Sequence, residues 1–150
     1  HYHGVVRCAF GWACWKTYLG RPEGHCDRQC AINQLGNGLS DGKHYEDALL
    51  VYEAELSMLR RLGRDSEVCI FAVQGNLAIM YKRLGRLDES MRLRQDVYSR
   101  TLKLFGEEHK ETLLEANNYA VSLKELSRFE EAKSLLRKKV PVARRVLGER

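Results

Sequence analysis

The sequence predicts an all-α solenoid of stacked antiparallel helix pairs, and three observations carry that reading. The first is self-similarity. Shifted by 42 residues, DGKHYEDA (41–48) falls on RLGRLDES (83–90), which falls in turn on ELSRFEEA (125–132). The second is a recurrent stop: Leu19-Gly20, Leu62-Gly63, Phe105-Gly106 and Leu147-Gly148 are spaced 43, 43 and 42 residues apart. Glycine after a large apolar residue ends a helix because it enters the left-handed conformation without a steric penalty. The third is the apolar period. Ile70, Leu77, Tyr81 and Leu84 share one helical face, as do Leu113, Ala116, Ala120, Leu123 and Leu126, a spacing of about 3.6 residues rather than alternation.

Taken in order, the stops and the apolar stripes place a helix over 5–19, then pairs over 24–40 with 44–62, 66–84 with 87–105, and 108–126 with 129–147. Residues 1–23 form an N-terminal helix, a cap or the end of a preceding repeat, in which Phe10, Trp12, Trp15 and Tyr18 are the densest aromatic cluster. The repeats are then 24–65, 66–107 and 108–150, all in one solenoid domain. Each second helix opens on acids, as at Glu46-Asp47, Asp88-Glu89 and Glu130-Glu131, which suit the positive end of the helix dipole. Small residues recur where paired helices must approach, at Gly36, Ala78 and Ala120 and again at Ala48, Ser90 and Ala132, with Tyr81, Leu123 and Phe129 filling the space beside them. Pro141 falls inside the last helix, where it deletes one backbone bond, so a kink is expected near 137–141. One pair cannot bury its apolar face alone, so neighbouring pairs stack.

Composition narrows the function classes. With 44% hydrophobic and 30% charged residues among 150, the chain holds enough apolar material for one core and has no low-complexity tract. The net charge of +5 would suit a nucleic-acid or anionic-membrane partner, but a fold of this size often carries such an imbalance for solubility alone, so it argues weakly for either. No apolar run approaches the roughly 20 residues of a membrane span. Five cysteines, an odd count without a close-set framework, read as reduced thiols and a cytoplasmic setting. The start, His-Tyr-His, suggests a beginning inside a longer protein, and the final Leu-Gly-Glu-Arg suggests that further repeats follow in the parent chain.

The segments NNYAVSLKELSRFEEAKSLL (117–136) and LFGEEHKET (104–112) resemble the tetratricopeptide repeat, and the 42-residue unit is similar to the longer repeats of kinesin light chains. The likeness covers about 24–150 and is weakest in the first copy. Members of that family carry proline soon after the Glu-Glu-His of the inter-repeat loop, where Lys110 stands here, so a looser loop is expected. The resemblance implies a right-handed superhelical solenoid that works as a protein-protein interaction scaffold rather than as an enzyme, with no cofactor and no small-molecule substrate.

In such arrays the first helix of each pair lines a concave groove. The resemblance and helical geometry place Asn33, Gln34, Asn37, Asn76, Ile79, Lys82, Arg83, Asn117, Asn118, Val121 and Lys124 on it. Gln34, Asn76 and Asn118 share one repeat position. A primary amide offers two donors and an acceptor, so a ladder of amides holds an extended peptide by its backbone, and Lys82, Arg83 and Lys124 would favour acidic groups on it.

Other signals are weaker. His25, Cys26 and Cys30 lack a fourth ligand at zinc spacing, so thiols packed in a helix interface are the simpler reading and no metal is expected. His44 with Asp47, and His109 beside Glu107 and Glu108, lie at repeat boundaries and read as turn and cap chemistry rather than catalysis. The basic run 135–145 spreads its charges around a helix axis and reads as a solvated face. Two rival functions remain: an accessory repeat domain of a larger enzyme or signalling protein, and a nucleic-acid-binding repeat, against which the 42-residue period argues.

Overall fold

The structure, a computed structural model, describes residues 6, 9, 11–13, 16, 20, 26–62 and 67–148, and of residues 26–28, 62 and 147 the backbone alone. It contains helices α1 (Cys26–Asp41), α2 (Tyr45–Leu62), α3 (Glu67–Arg83), α4 (Leu87–Phe105), α5 (Lys110–Glu125) and α6 (Phe129–Leu147), and no strand among the described residues. Every end of these helices lies within two residues of its expected place. Residues 6, 9, 11–13 and 16 are helical and Gly20 is in a turn, which agrees with a helix over 5–19; Phe10, Trp15 and Tyr18 lie outside the described residues.

The helices fall into two compact units, residues 1–85 and 86–150. In the first unit α2 packs against both α1 and α3. Ala31, Ile32 and Leu35 of α1, Ala48, Tyr52, Leu56 and Leu59 of α2, and Ile70, Val73 and Leu77 of α3 are buried. The small positions explain how the helices come so close. A Cβ on Gly36 would stand 2.6 Å from the ring of Tyr52, and one on Gly11 would stand 2.5 Å from the backbone nitrogen of Leu35. In the second unit α5 packs against both α4 and α6. Met91, Leu123 and Ala132 form its core with Tyr119 and Leu126 against them. Thr112 donates to the backbone carbonyl of Thr101 at 3.3 Å and so pins the start of α5 to α4.

The turn inside each helix pair contains a signal that the expected stops overlooked. Lys43, Gly85 and Ser127, spaced by the repeat length, all have positive φ, at 66°, 76° and 59°. Within each unit, at Lys43 and Ser127, the left-handed residue lets the chain double back with its carbonyls satisfied. Lys43 N–H donates to Ser40 and His44 N–H to Leu39, and Ser127 N–H donates to Lys124 and Arg128 N–H to Leu123. Glycine occupies this position once, and side chains with a Cβ strain it twice. Nothing lies within 4 Å of a Cβ built on Gly85, so the backbone alone sets the effect. Gly85→Ala should destabilise the first unit by about 1–2 kcal/mol, and Ser127→Gly should stabilise the second by about 0.5 kcal/mol, both measured by urea denaturation.

Immediately after these turns a basic residue forks onto the acid three positions on. Arg86 holds Glu89 and Arg128 holds Glu131, the latter at 2.7 Å through both Nε and Nη2, while His44 stands 4.0 Å from Asp47. His109 caps α5, its Nδ1 accepting from the Glu111 N–H at 3.3 Å. The histidines are thus turn and cap residues, as their boundary positions suggested. Among the helix stops, Gly148 is left-handed (φ 73°, ψ 23°), whereas Gly106 (φ 84°, ψ 176°) lies in a region open essentially to glycine alone. Gly63 lies outside the described residues. At Pro141 helix α6 does not end: it continues to Leu147 with the proline ring exposed.

Candidate functional site

The first-helix residues expected to bind a peptide divide by environment. In the first unit, Asn33 and Asn37 are half-buried and bonded inward. Tyr52 Oη donates to Asn37 Oδ1 at 2.8 Å, and Asn37 Nδ2 donates to Asn33 Oδ1 at 2.8 Å. The Asn33 amide is thereby left to donate to Glu55, whose side chain is 3% exposed. Burial raises the Glu55 carboxyl to about 7 against the opposing hydrogen bond from Asn33, and its Oε2 has no hydrogen-bond partner. Gln34, Ile79, Lys82 and Arg83 are exposed, and Asn76 is half-buried. Of the amides in this unit, two therefore serve an internal chain, while Gln34 and Asn76 stand outside it.

In the second unit Asn117, Val121 and Lys124 are exposed along α5. Asn118 is half-buried and donates to Glu115 Oε1 at 3.3 Å, while Arg94 reaches Glu115 Oε2 at 3.4 Å. Asn117, Val121 and Lys124 line one side of an open groove of about 550 Å³, whose other side is α6. Phe129, expected to fill space beside the small residues, is 58% exposed and lines this groove. Its repeat mates Tyr45 and Leu87 are half-buried, so the residue type is kept while the cover is not.

Two further expectations change. Cys30 is an exposed free thiol, as is Cys69, rather than part of a packed interface; the Cys26 side chain lies outside the described residues. The basic run is not a uniformly solvated face. Lys139 is 7% exposed, 3.4 Å from Glu107 and over the ring of Tyr98 at 5.9 Å, whereas Arg137, Lys138, Arg144 and Arg145 are exposed and Arg145 pairs with Glu108.

Sequence reasoning missed Tyr52 and Glu55 because it scored first helices for function and second helices for packing. A signal was available: Glu55, Val97 and Lys139 share one repeat position, and all three are buried. A position that holds a valine in one copy and charges in two others marks places where polar partners must be supplied. Among the described residues no helix is long and apolar enough to cross a membrane, and no group of three potential ligands could hold a metal ion. Amides, exposed aliphatics and cations are the groups these faces offer, and they support binding by hydrogen bond, apolar contact and charge.

Known proteins of similar structure share this architecture. None of the curated proteins matches the chain in sequence. Among solved structures it is similar to BtubC (BKLC) from P. vanneervenii, at 19% identity and a TM-score of 0.77, over 99% of this chain and 58% of that one. It is similar to a single-substitution form of the nearly identical TPR-like repeats of a kinesin light chain candidate from Podosopora anserina, at 16% identity and a TM-score of 0.84, over 97% of this chain and 69% of that one. The apo form of RapI matches at 15% identity and a TM-score of 0.78, over 95% of this chain and 50% of that one. The chain thus spans little more than half the length of BtubC and half that of RapI. At these identities the likeness shows the fold, an all-α tetratricopeptide architecture of the kinesin light chain-like kind. Residues 69–149, more than half of the chain, match the tetratricopeptide repeat, and the chain belongs to that family.

Proposed function

We propose that this chain is a protein-interaction scaffold whose first-helix faces grip an extended segment of a partner protein. The observation that carries the reading is the recurrence of three groups at fixed repeat positions: the amides Asn76 and Asn118, the exposed aliphatics Ile79 and Val121, and the exposed cations Lys82 and Lys124. Amides that satisfy a peptide backbone, beside aliphatics that accept its side chains, bind extended chains with little regard to sequence. The cations, with Arg83, favour a segment that carries acidic groups. Two exposed free thiols, Cys30 and Cys69, suit a reducing, cytoplasmic setting.

Peptides selected from a random library against the whole chain test the reading. Replacing Asn76 and Asn118 together by alanine should weaken the selected peptides by about tenfold, since each lost amide contact is worth about 0.5–1.5 kcal/mol. The melting temperature should fall by no more than a few degrees, because Asn118 gives up one bond to Glu115. Selected peptides indifferent to the double variant would remove these faces from the binding surface.

A further inference from the structure

We infer that the cleft between α4 and α6, floored by α5, is a binding site for a phosphate monoester, held as its dianion by Lys138 and Lys139 and by the hydroxyls of Tyr98, Tyr119 and Ser134. The site is independent of the extended-peptide reading and shares no residue with it.

Helices α4 and α6 both pack on α5 and leave between them a recess of about 630 Å³, walled entirely from within the second unit. Packing does not require this recess to be polar. One repeat length before Tyr98, Tyr119 and Lys139 stand Leu56, Leu77 and Val97, and all three are buried. Aliphatic side chains thus serve the repeat register, yet in this copy two phenols and an ammonium replace them together, and all three line the one cleft. Lys139 is 7% exposed. Placing polar groups where leucine and valine suffice costs stability unless they find partners, and a polar occupant supplies them.

The polar atoms of the cleft are mostly donors without an acceptor in the chain. The hydroxyls of Tyr98, Tyr119 and Ser134 and the Lys138 ammonium have no hydrogen-bond or ion-pair partner among the described residues. Burial raises the Tyr119 phenol above its usual value, against the nearby Arg128 charge, so it keeps its proton at neutral pH. Two carboxylates also line the cleft. Glu131 has both oxygens taken by Arg128 at 2.7 Å. Glu107 lies 3.4 Å from Lys139, but its side chain is 65% exposed and can turn into solvent. Its carboxylate stands where an incoming oxyanion would.

Charge selects the occupant. With Glu107 turned away and Glu131 neutralised by Arg128, Lys138 and Lys139 leave two positive charges. A carboxylate matches only one of them. A phosphate monoester carries a charge of about −1.5 to −2 at neutral pH on three strong acceptor oxygens, so it matches both ammoniums and still accepts from the hydroxyls. The volume falls within the range of about 300–1,000 Å³ usual for small-ligand pockets, which leaves room for the group that bears the phosphate.

Calorimetric titration of the whole chain with phenyl phosphate at low salt should show saturable binding. Benzoate, similar in shape with a single charge, should bind at least about tenfold more weakly. Lys139→Val installs the residue that the same position holds one repeat earlier, which suits the fold, and should abolish binding. Lys138→Ala, at an exposed position, should weaken it by about tenfold. Glu107→Gln removes the competing carboxylate and should tighten binding by at least about threefold, a gain that a purely structural ion pair would not give. Lys133→Ala, a cation on α6 outside the cleft, should change nothing. Asn76→Ala with Asn118→Ala should also change nothing, which separates the result from the fate of the extended-peptide reading. A short blocked phosphotyrosine peptide that binds at least about tenfold tighter than phenyl phosphate assigns the phosphate to a partner's side chain; a smaller gain or none assigns it to a free ester. No binding at millimolar phenyl phosphate, equal binding of benzoate, indifference to Lys138→Ala or Lys139→Val, or no gain with Glu107→Gln overturns the proposal.

Discussion

Raising the pH from about 4.5 to about 7 should cost the first unit about 3 kcal/mol of stability through Glu55 alone. The buried carboxyl ends a part-buried chain of Asn33, Asn37 and Tyr52, and its Oε2 has no hydrogen-bond partner. Burial raises its folded pKa from 4.5 to about 7, so between those values the folded form keeps a proton that the unfolded chain has released. The stabilisation is therefore complete below the unfolded value and lost as pH rises through the folded one. Urea denaturation at pH 5 and pH 8 should show the wild type weaker at pH 8. Glu55→Gln, neutral throughout, should remove most of the difference and be the more stable protein at pH 8. A variant with the same pH dependence as the wild type would place the cause elsewhere. The exposed forks act in a separate window. Hydrogen bonds from Arg86 and Arg128 hold Glu89 and Glu131 below the usual carboxylate range. Their contribution is present above the ordinary carboxylate pKa and lost as pH falls through the lowered values, on the acid side of the Glu55 transition.

Filling the space at Gly36 should be costly in a way that only a change at Tyr52 can relieve. The Tyr52 ring is 1% exposed, and its hydroxyl is held by Asn37 at 2.8 Å, so it cannot swing aside cheaply from a new Cβ 2.6 Å away. Gly36→Val should destabilise the first unit by about 1–3 kcal/mol through overpacking, and Tyr52→Ala by about 3–5 kcal/mol through the cavity it leaves. The double variant should cost less than the two added together, because the valine then enters the space the ring vacated. Additive costs in a double-mutant cycle would show that the two residues do not compete for the same volume.

The repeat made the helices legible to within two residues because the same turn and stop chemistry returns each time the chain folds back. Small residues at Gly36, Ala78 and Ala120 announced close approach, and each of them is buried. The fine chemistry of the turns was less visible. Lys43 and Ser127 do not look like left-handed residues, and only Gly85 among the three has the type that the backbone prefers. Candidate binding residues were legible as faces and not as states. Helical geometry puts Asn33 and Asn37 on the same side of α1, yet a tyrosine and a glutamate from α2, 15 or more residues away, decide that their amides point inward.

What the sequence determined by itself is everything governed by local period: helices, their order, their stops, and the small residues that let them pack. Tertiary structure decided which side chains remain available. Phe129 is a core residue by pattern and a solvent-facing one in place, because burial depends on whether a neighbouring helix covers it. Lys139 and Glu55 are surface residues by type and interior ones in place, because their repeat position points between helices whatever residue it holds. Periodicity fixes direction, and only the packed neighbours fix what lies in that direction.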